Sequence, residues 1–510
     1  MQPASALRTD VAADFLRRIL LARVYEVAQE TDLNFLQRLS TEHDNQIYLK
    51  REDQQSVHSF KLRGAYNRLA NLDEKCRQRG VVAASAGNHA QGVALSAQKL
   101  GIKATIVMPI TTPEIKAQNV RRFGAEVKLV GKNFSEANEV AIQLAKQEQC
   151  VFVPPFDDKD VIAGQGTVGR ELLQQLPDAD VVFVPVGGGG LLAGIAVFLK
   201  QLNPLIKIIG VEAEDSACLT AALASGSPVE LPQVGLFADG VAVKKIGEET
   251  FPLIRAFCDG VITVSNDEIC GAIKEIFEHT RVIAEPAGAL SLAGCIRYTQ
   301  TSVGKQKLVA ILSGANMNFH TLRYVSERCE LAEKKEAVLS VTIAEEKGSF
   351  KKFCQTIGGR VITEFNYRYS DRKKANIFVG VKLSGGDHEL QALIKTLKQV
   401  YPVENFTNNE LAKLHVRYMV GGQSPVKLSE RIFQFEFPEF PGALELFLQT
   451  LGEEWNITLF HYRNHGSAIG QVLAGFDVKD EQQLDFFRHL KALGYSFKEE
   501  SNNPAFKLYL

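Results

Sequence analysis

The chain has little of what marks a metal site, a secreted scaffold or a highly charged partner. Its eight cysteines, at positions 76, 150, 218, 258, 270, 295, 329 and 354 of 510 residues, form no CxxC pair and have no histidines at zinc-ligand spacing. They read as reduced core residues, and no metal is expected. Neither sign of charge is in excess: 58 Lys and Arg face 59 Asp and Glu, a net charge of −1. That balance supplies no field for nucleic acid or an anionic membrane, and it favours small-molecule chemistry. A secretory apolar region is missing from "MQPASALRTDVAADFLRRIL", which carries Asp10, Asp14 and the Arg17–Arg18 pair, so a cytoplasmic protein is expected. One charge-free run, Val181 to Leu199, has the length of a membrane span, but Pro185 and glycines 187–190 would break it as a helix. A strand, a loop and a helix fit that run better.

What is present is alternation. From about residue 80 to 315, apolar β-rich runs ("VVAAS" 81–85, "ATIVM" 104–108, "EVKLV" 126–130, "VVFVPV" 181–186, "IKIIGVE" 206–212, "VITV" 261–264, "KLVAIL" 307–312) are separated by helical patterns. Continuous apolar strands between helices predict an α/β domain whose parallel sheet is covered on both faces. Ligands in such sheets gather beyond the carboxyl ends of the strands.

Past about residue 325 the texture changes. "SERCELAEKKE" (326–336) is charge-dense and reads as a helix or linker closing a first domain of residues 1–325. A repeat follows. "GSFKKFCQTIGG" from Gly348 matches "GALELFLQTLGE" from Gly442 at an offset of 94, pairing Phe353 with Phe447 and Ile357 with Leu451. One residue later in the second copy, "ITEFNYR" (362–368) meets "ITLFHYR" (457–463), and Gly380 keeps that register with Gly475. Two strand–helix–strand–strand modules are expected, over 337–410 and 430–505. They serve either as a ligand sensor or as a duplicated scaffold that buries its own faces.

Four segments carry candidate chemistry. In "VHSFKLRGAY" (57–66), Lys61 sits between Phe60 and Leu62 at a helix start that Ser59 is placed to cap. An ordinary lysine there would snorkel. A lysine held in apolar surroundings against a helix N-terminus has a lowered pKa and suits imine formation with a carbonyl compound. "SAGNHAQG" (85–92) passes from strand to helix and offers the backbone of Ser85, Ala86, Gly87, Asn88 and His89 to an anion, unless it is a plain βα turn. "VGGGGLLAG" spends four glycines, Gly187, Gly188, Gly189 and Gly190, on one loop before Leu191, as a backbone closely approached by phosphate would require. It also satisfies the dinucleotide fingerprint, with Glu212 placed as a ribose-binding acid, so a nicotinamide dehydrogenase competes. "ILSGAN" (311–316) ends the last strand with Ser313 at its tip. Taken together the four fit pyridoxal phosphate: a Schiff base on Lys61, phosphate on the glycine loop, the ring oxygen near Asn88 and the ring nitrogen near Ser313. A dehydrogenase would leave Lys61 unexplained.

These motifs, with "AEPAGAL" around Glu285, resemble those of pyridoxal-phosphate β-eliminating dehydratases with a tryptophan-synthase-β-like fold. The "PGAL…NITLFHYR" tail is similar to the paired ACT-like regulatory modules of biosynthetic threonine deaminases (threonine ammonia-lyases). The resemblance runs nearly end to end. It implies conversion of L-threonine, and less well L-serine, to a 2-oxo acid and ammonia at the start of isoleucine biosynthesis. Lys61 and Ser313 would be catalytic, Asn88 and Gly187 to Leu191 would bind cofactor, and Ser85 to His89 would bind substrate. Isoleucine inhibition, valine activation and a homotetramer are implied for the tail and the assembly. Pro441 precedes Gly442 where Lys347 precedes Gly348, a difference that bears on whether both modules bind effector. A serine racemase, a catabolic dehydratase and a non-catalytic amino-acid sensor remain as alternatives, against which stand the duplicated tail and the intact Lys61, Asn88 and Ser313.

Overall fold

Runs of β-branched residues bounded by glycine and polar turns form strands here as the alternation predicts, because each can be buried on both faces. The computed structural model describes residues 7–509 apart from 303, 320, 333–335, 345–348, 359, 368–373, 419–428, 439–446, 448–449, 452–454, 456 and 464–468. The chain divides into two units, Met1–Asn318 and Phe319–Leu510. In place of a linker at 326–336, residues 326–332 continue the helix Thr321–Ala332 inside the second unit, and Glu336 opens its first strand. Two of the charges in this stretch are spent on packing: buried Arg328 pairs with Glu410 at 2.7 Å and buried Glu336 with Arg417 at 2.8 Å.

The first unit holds two sheets. Strands Lys307–Leu312, Val181–Pro185, Lys207–Ala213 and Gly260–Val264 run parallel with Gln46–Arg51 in a six-stranded sheet that Leu33–Phe35 closes as an antiparallel edge. Strands Val81–Ala84, Ala104–Met108, Glu126–Leu129 and Val151–Phe152 form a separate parallel sheet. The run 181–199 becomes a strand and the helix Gly190–Leu202, and among the described residues no helix is long and apolar enough to cross a membrane. Of the cysteines, 218, 270 and 295 are buried, but Cys354 is exposed on its helix and is no core residue.

The second unit contains two four-stranded antiparallel sheets. One is built from Glu336–Ala344, Ile362–Tyr367, Lys374–Lys382 and Val403–Asn405, the other from Glu430–Pro438, Ile457–Arg463, Ile469–Asp477 and Ser496–Glu499, in equivalent order. Each module goes beyond the expected strand–helix–strand–strand pattern by one more helix, Gly386–Lys398 or Gln483–Leu493, and a fourth strand. Paired residues share their fate: Phe353 and Phe447 are fully buried, and the register slips by one residue at Ile362/Glu364 and again at Ile457/Leu459. Lys347, Gly348, Pro441, Gly442 and Gln449 lie outside the described residues.

One buried charge cluster ties the first unit together. Arg63, fully enclosed, donates to Glu52 and, at 2.6 Å, to Glu171, and Glu171 accepts in turn from buried Lys50 at 2.6 Å. Glu52 is held below the usual carboxylate range by Arg63, which outweighs its burial, whereas burial lowers Lys50. Removing one partner of such a cluster strands the others in the interior. Arg63→Met is therefore expected to destabilise the chain by about 3–5 kcal/mol, read from urea denaturation, whereas a loss under about 1 kcal/mol would mean that water reaches Glu52 and Glu171.

Candidate active site

Each site segment follows the carboxyl end of a parallel strand, and both sheets contribute. Strand Gln46–Arg51 leads to residues 57–61, Val81–Ala84 to 85–89, Val151–Phe152 to Pro155 and Phe156, Val181–Pro185 to the glycine loop, and Lys307–Leu312 to Ser313.

Lys61 is the first residue of the helix Lys61–Ala70. Ser59 does not cap that helix: Phe60 occupies the cap position in helical conformation with no side-chain bond, and the Ser59 hydroxyl is buried without a partner among the described residues. The reason is that residues 58–60 are committed to another pairing. Ser59 bridges Gly314, the Phe60 amide donates to the Ser313 carbonyl at 3.2 Å, and the Ala315 amide donates to the His58 carbonyl at 2.9 Å. This ribbon sets Lys61 beside Ser313. The amine lies over the Phe60 ring and donates to the Pro155 carbonyl at 3.0 Å; burial lowers its pKa to about 8, against the pull of Glu285.

The glycine loop is a cradle of amides. The Gly187 carbonyl accepts from Cys218, the Gly188 carbonyl from Thr250 Oγ1 at 2.8 Å and from the Gly247 amide at 3.2 Å, and the Gly189 carbonyl from Ala193. With the carbonyls turned outward, the amides from Gly187 to Leu191 have no acceptor among the described residues. Gly189 sits at φ +90° before the helix Gly190–Leu202, and a Cβ at Gly188 would collide with the Phe156 ring. Consecutive amides at a helix start fit a phosphate. Glu212 is unavailable to a ribose: its carboxylate accepts from the Leu219 and Thr220 amides and the Thr220 hydroxyl, so it serves the start of the helix Cys218–Ser225. The dinucleotide fingerprint was a coincidence of spacing.

In the 85–89 loop, the Ser85 amide is spent on the Val107 carbonyl and the Gly87 amide on Ser85 Oγ. The amides of Ala86, Asn88 and His89 are left for an anion, and a Cβ at Gly87 would meet nothing within 4 Å. The His89 ring faces the interior instead, its Nε2 against the Val153 carbonyl at 2.9 Å, and burial pushes its pKa down to about 3. Ser313, buried, donates weakly to the Ala287 carbonyl at 3.3 Å.

Three partners were not assigned from the sequence. Pro155 receives both Lys61 and, at 3.4 Å, Gln165. Thr250 holds the glycine loop. Glu285, the cap residue of the helix Pro286–Thr299, makes no cap bond and accepts from Asn88 Nδ2 at 2.5 Å. Of the three only Glu285 lies in a segment singled out from the sequence, "AEPAGAL". Burial, assisted by Asp239, raises its pKa to about 7.

Because Glu285 binds its proton more tightly folded than unfolded, the stability it contributes is complete below about pH 4.5 and is lost as pH rises through about 7. Glu285→Gln should flatten that loss. Between about pH 5 and pH 8 the parent is expected to lose on the order of 3 kcal/mol more than the variant in urea titrations, and parallel profiles would show that Glu285 ionises freely.

Residues 24–314 match the model of the pyridoxal-phosphate-dependent enzyme family, and residues 327–416 and 422–510 each match the C-terminal regulatory domain of threonine dehydratase. The biosynthetic L-threonine dehydratase IlvA of Escherichia coli is 58% identical over 98% of this chain and 97% of its own length. Among solved structures, the processed form of threonine deaminase isoform 2 from Solanum lycopersicum matches with a TM-score of 0.62 and 48% identity, covering 62% of this chain and 93% of that one. A serine racemase from Dictyostelium discoideum matches with a TM-score of 0.56 and 34% identity over 60% of this chain and 99% of its own. Matched along almost its whole length by a biosynthetic threonine dehydratase, and by the family models of both the enzyme and its regulatory domain, the chain belongs to the biosynthetic threonine dehydratases, pyridoxal-phosphate-dependent lyases.

Proposed function

We propose that the chain converts L-threonine, and more slowly L-serine, to the 2-oxo acid and ammonia, threonine giving 2-oxobutanoate. One observation carries the reading: an amine whose pKa burial has drawn to about 8, bound to a single carbonyl, beside a loop of unpaired amides. Lys61 would anchor the cofactor, the amides of Gly187, Gly188, Gly189, Gly190 and Leu191 would hold its phosphate, Asn88 its ring oxygen and Ser313 its ring nitrogen. Bound there, pyridoxal phosphate supplies a covalent attachment for an amine and a conjugated ring that accepts electrons from Cα.

The chain's own groups supply the rest. The amides of Ala86, Asn88 and His89 would grip the substrate carboxylate, with Ser85 and Gly87 shaping the loop, and so fix the orientation of the Cα–H bond. Lys61, close to half neutral near pH 8, can take that proton and return it. Ser313 brings a neutral hydroxyl rather than a carboxylate. Electron withdrawal from Cα is then modest, which favours loss of the β-hydroxyl over reprotonation. The released 2-aminobut-2-enoate takes up water and loses ammonia. Isoleucine as inhibitor and valine as activator would bind the modules 337–410 and 430–505 of a cytoplasmic homotetramer that engages neither nucleic acid nor membrane. The racemase match covers 60% of this chain, whereas the duplicated tail matches the regulatory domain of threonine dehydratase, which is what a feedback-controlled dehydratase needs.

Lys61→Ala is expected to lower 2-oxobutanoate production at least about a thousandfold and to erase the visible absorption of the bound cofactor, with the circular dichroism spectrum intact. A variant that kept both activities would remove Lys61 from the chemistry.

Isoleucine should weaken binding of a non-reacting threonine analogue by about 1–3 kcal/mol in calorimetric titrations of the full chain, and the analogue should weaken isoleucine binding equally. Hydrogen exchange on adding isoleucine should slow within 319–510. Slowing confined to 1–318 would move the effector site to the catalytic unit and leave the repeat as scaffold.

A further inference from the structure

The Asn88 side chain is gripped from two directions. Its Oδ1 accepts from Asn316 Nδ2 at 2.7 Å, and its Nδ2 donates to Glu285 Oε1 at 2.5 Å. Asn316 Nδ2 also donates to the Val57 carbonyl at 2.7 Å. An amide side chain can be placed either way round, and here a backbone group decides. The Val57 carbonyl accepts only, so it holds the Asn316 amino group toward itself and toward Asn88. Asn88 must then turn its oxygen to Asn316 and its nitrogen away from it. One hydrogen of that nitrogen goes to Glu285, and the second is left over.

The start of this hydrogen-bond relay is buried and paired. Val57 is fully buried, and His58, at φ +53°, has its carbonyl fixed by the Ala315 amide. The same ribbon of residues 57–60 against 313–316 carries Lys61 at one end and Asn316 at the other. Lysine and asparagine orientation thus share one frame.

We infer that Asn316 is a positioning residue for the cofactor: through Asn88 it guarantees that the group facing the ring oxygen is a hydrogen-bond donor. The inference rests on the pyridoxal-phosphate reading above, with the ring oxygen beside Asn88. A donor stabilises the oxygen as an anion, whereas an acceptor there would force it to keep its proton. Asn316→Asp replaces the amino group by oxygens that only accept. Asn88 must then turn its nitrogen toward residue 316 and its oxygen toward the cofactor.

The test uses the purified full chain with pyridoxal phosphate, comparing the parent with Asn316→Asp, Asn316→Ala, Asn88→Ala and the Asn88→Ala/Asn316→Asp double variant. Asn316→Asp is expected to raise the cofactor dissociation constant at least tenfold and to move the visible band to shorter wavelength. Asn316→Ala, which only frees Asn88 to turn, should change both in the same direction by less. In the Asn88→Ala background, Asn316→Asp should add less than a twofold change, because the residue acts through Asn88. A purely structural role would lower the melting temperature of the cofactor-free chain and leave the band in place.

A folded Asn316→Asp with the parental band and affinity overturns the inference, as does an equal effect in the Asn88→Ala background. If Asn316→Asp fails to fold, Asn316→Ala decides by the same criteria. A parent protein that binds no cofactor and shows no visible band would sink the functional reading itself, whereas a normal parent with unaffected variants sinks only the part given to Asn316.

Discussion

Arg63 is the contact on which the catalytic unit depends. It stands two residues beyond Lys61 on the same helix, fully buried, and satisfies Glu52, Glu171, Thr167 and the Gln29 carbonyl at once. An arginine can do this because its planar fork carries five donors in fixed directions, which a lysine could not match. The partners come from three parts of the fold: the turn Glu52–Gln54, the helix Lys159–Gln175 and the segment before the first strand. Close approach of the two helices also needs glycine on both sides. A Cβ at Gly64 would press on Val161, and one at Gly164 would collide with the Arg63 carbonyl. The start of the Lys61 helix is therefore packed from behind against the helix Lys159–Gln175 and the turn Glu52–Gln54.

The two clusters of ionisable groups in this unit obey opposite logic. Around Arg63, four buried charges sum to zero and every one is hydrogen-bonded, which is the condition for keeping ions in an interior. Around Lys61, burial acts without such compensation. The amine is drawn down to about 8, Glu285 is lifted to about 7, and His89 stays neutral. Groups left near their switching point can exchange protons under ordinary conditions. A fully paired cluster cannot, and holding the frame is what it does.

The duplicated modules show how far one backbone plan tolerates a change of core. The first packs mainly aliphatic side chains, among them Leu339, Val341, Ile377 and Leu393, around Phe353. In the second, Phe433, Phe435, Phe437, Phe447, Phe476 and Phe486 form a web of tilted and edge-on rings, and Trp455 packs edge-on against Phe486. Strand order and the slipped register survive the exchange, because both depend on backbone pairing and on which positions are apolar. The side-chain shapes are free to differ.

Much was legible in the sequence because it was written in local order. Apolar runs of strand length, glycines at loop tips and a repeat at an offset of 94 to 95 residues are set by neighbours along the chain, and seven strands and both modules followed from them. The motifs around Asn88, the glycine loop and Ser313 were visible for the same reason, each lying just past a strand, and Lys61 stood out by its place at a helix start between apolar neighbours. Periodicity did not reveal that the strands divide between two sheets, since a strand's pattern records that it is covered and not by what. Nor did it reveal that Ser59 would leave its cap for a bridge to Gly314, that Glu212 would be consumed by a helix start, or that Asn316 would reach Asn88. Those outcomes depend on which hydrogen-bonding groups meet across more than 200 residues of chain in the Ser59 and Asn316 pairs, and only folding brings them into hydrogen-bonding reach. The sequence by itself determined the elements, the duplication and the chemical vocabulary of the site. The tertiary structure decided which donor faces which acceptor, because a hydrogen bond is directional and short and its partner is chosen in space.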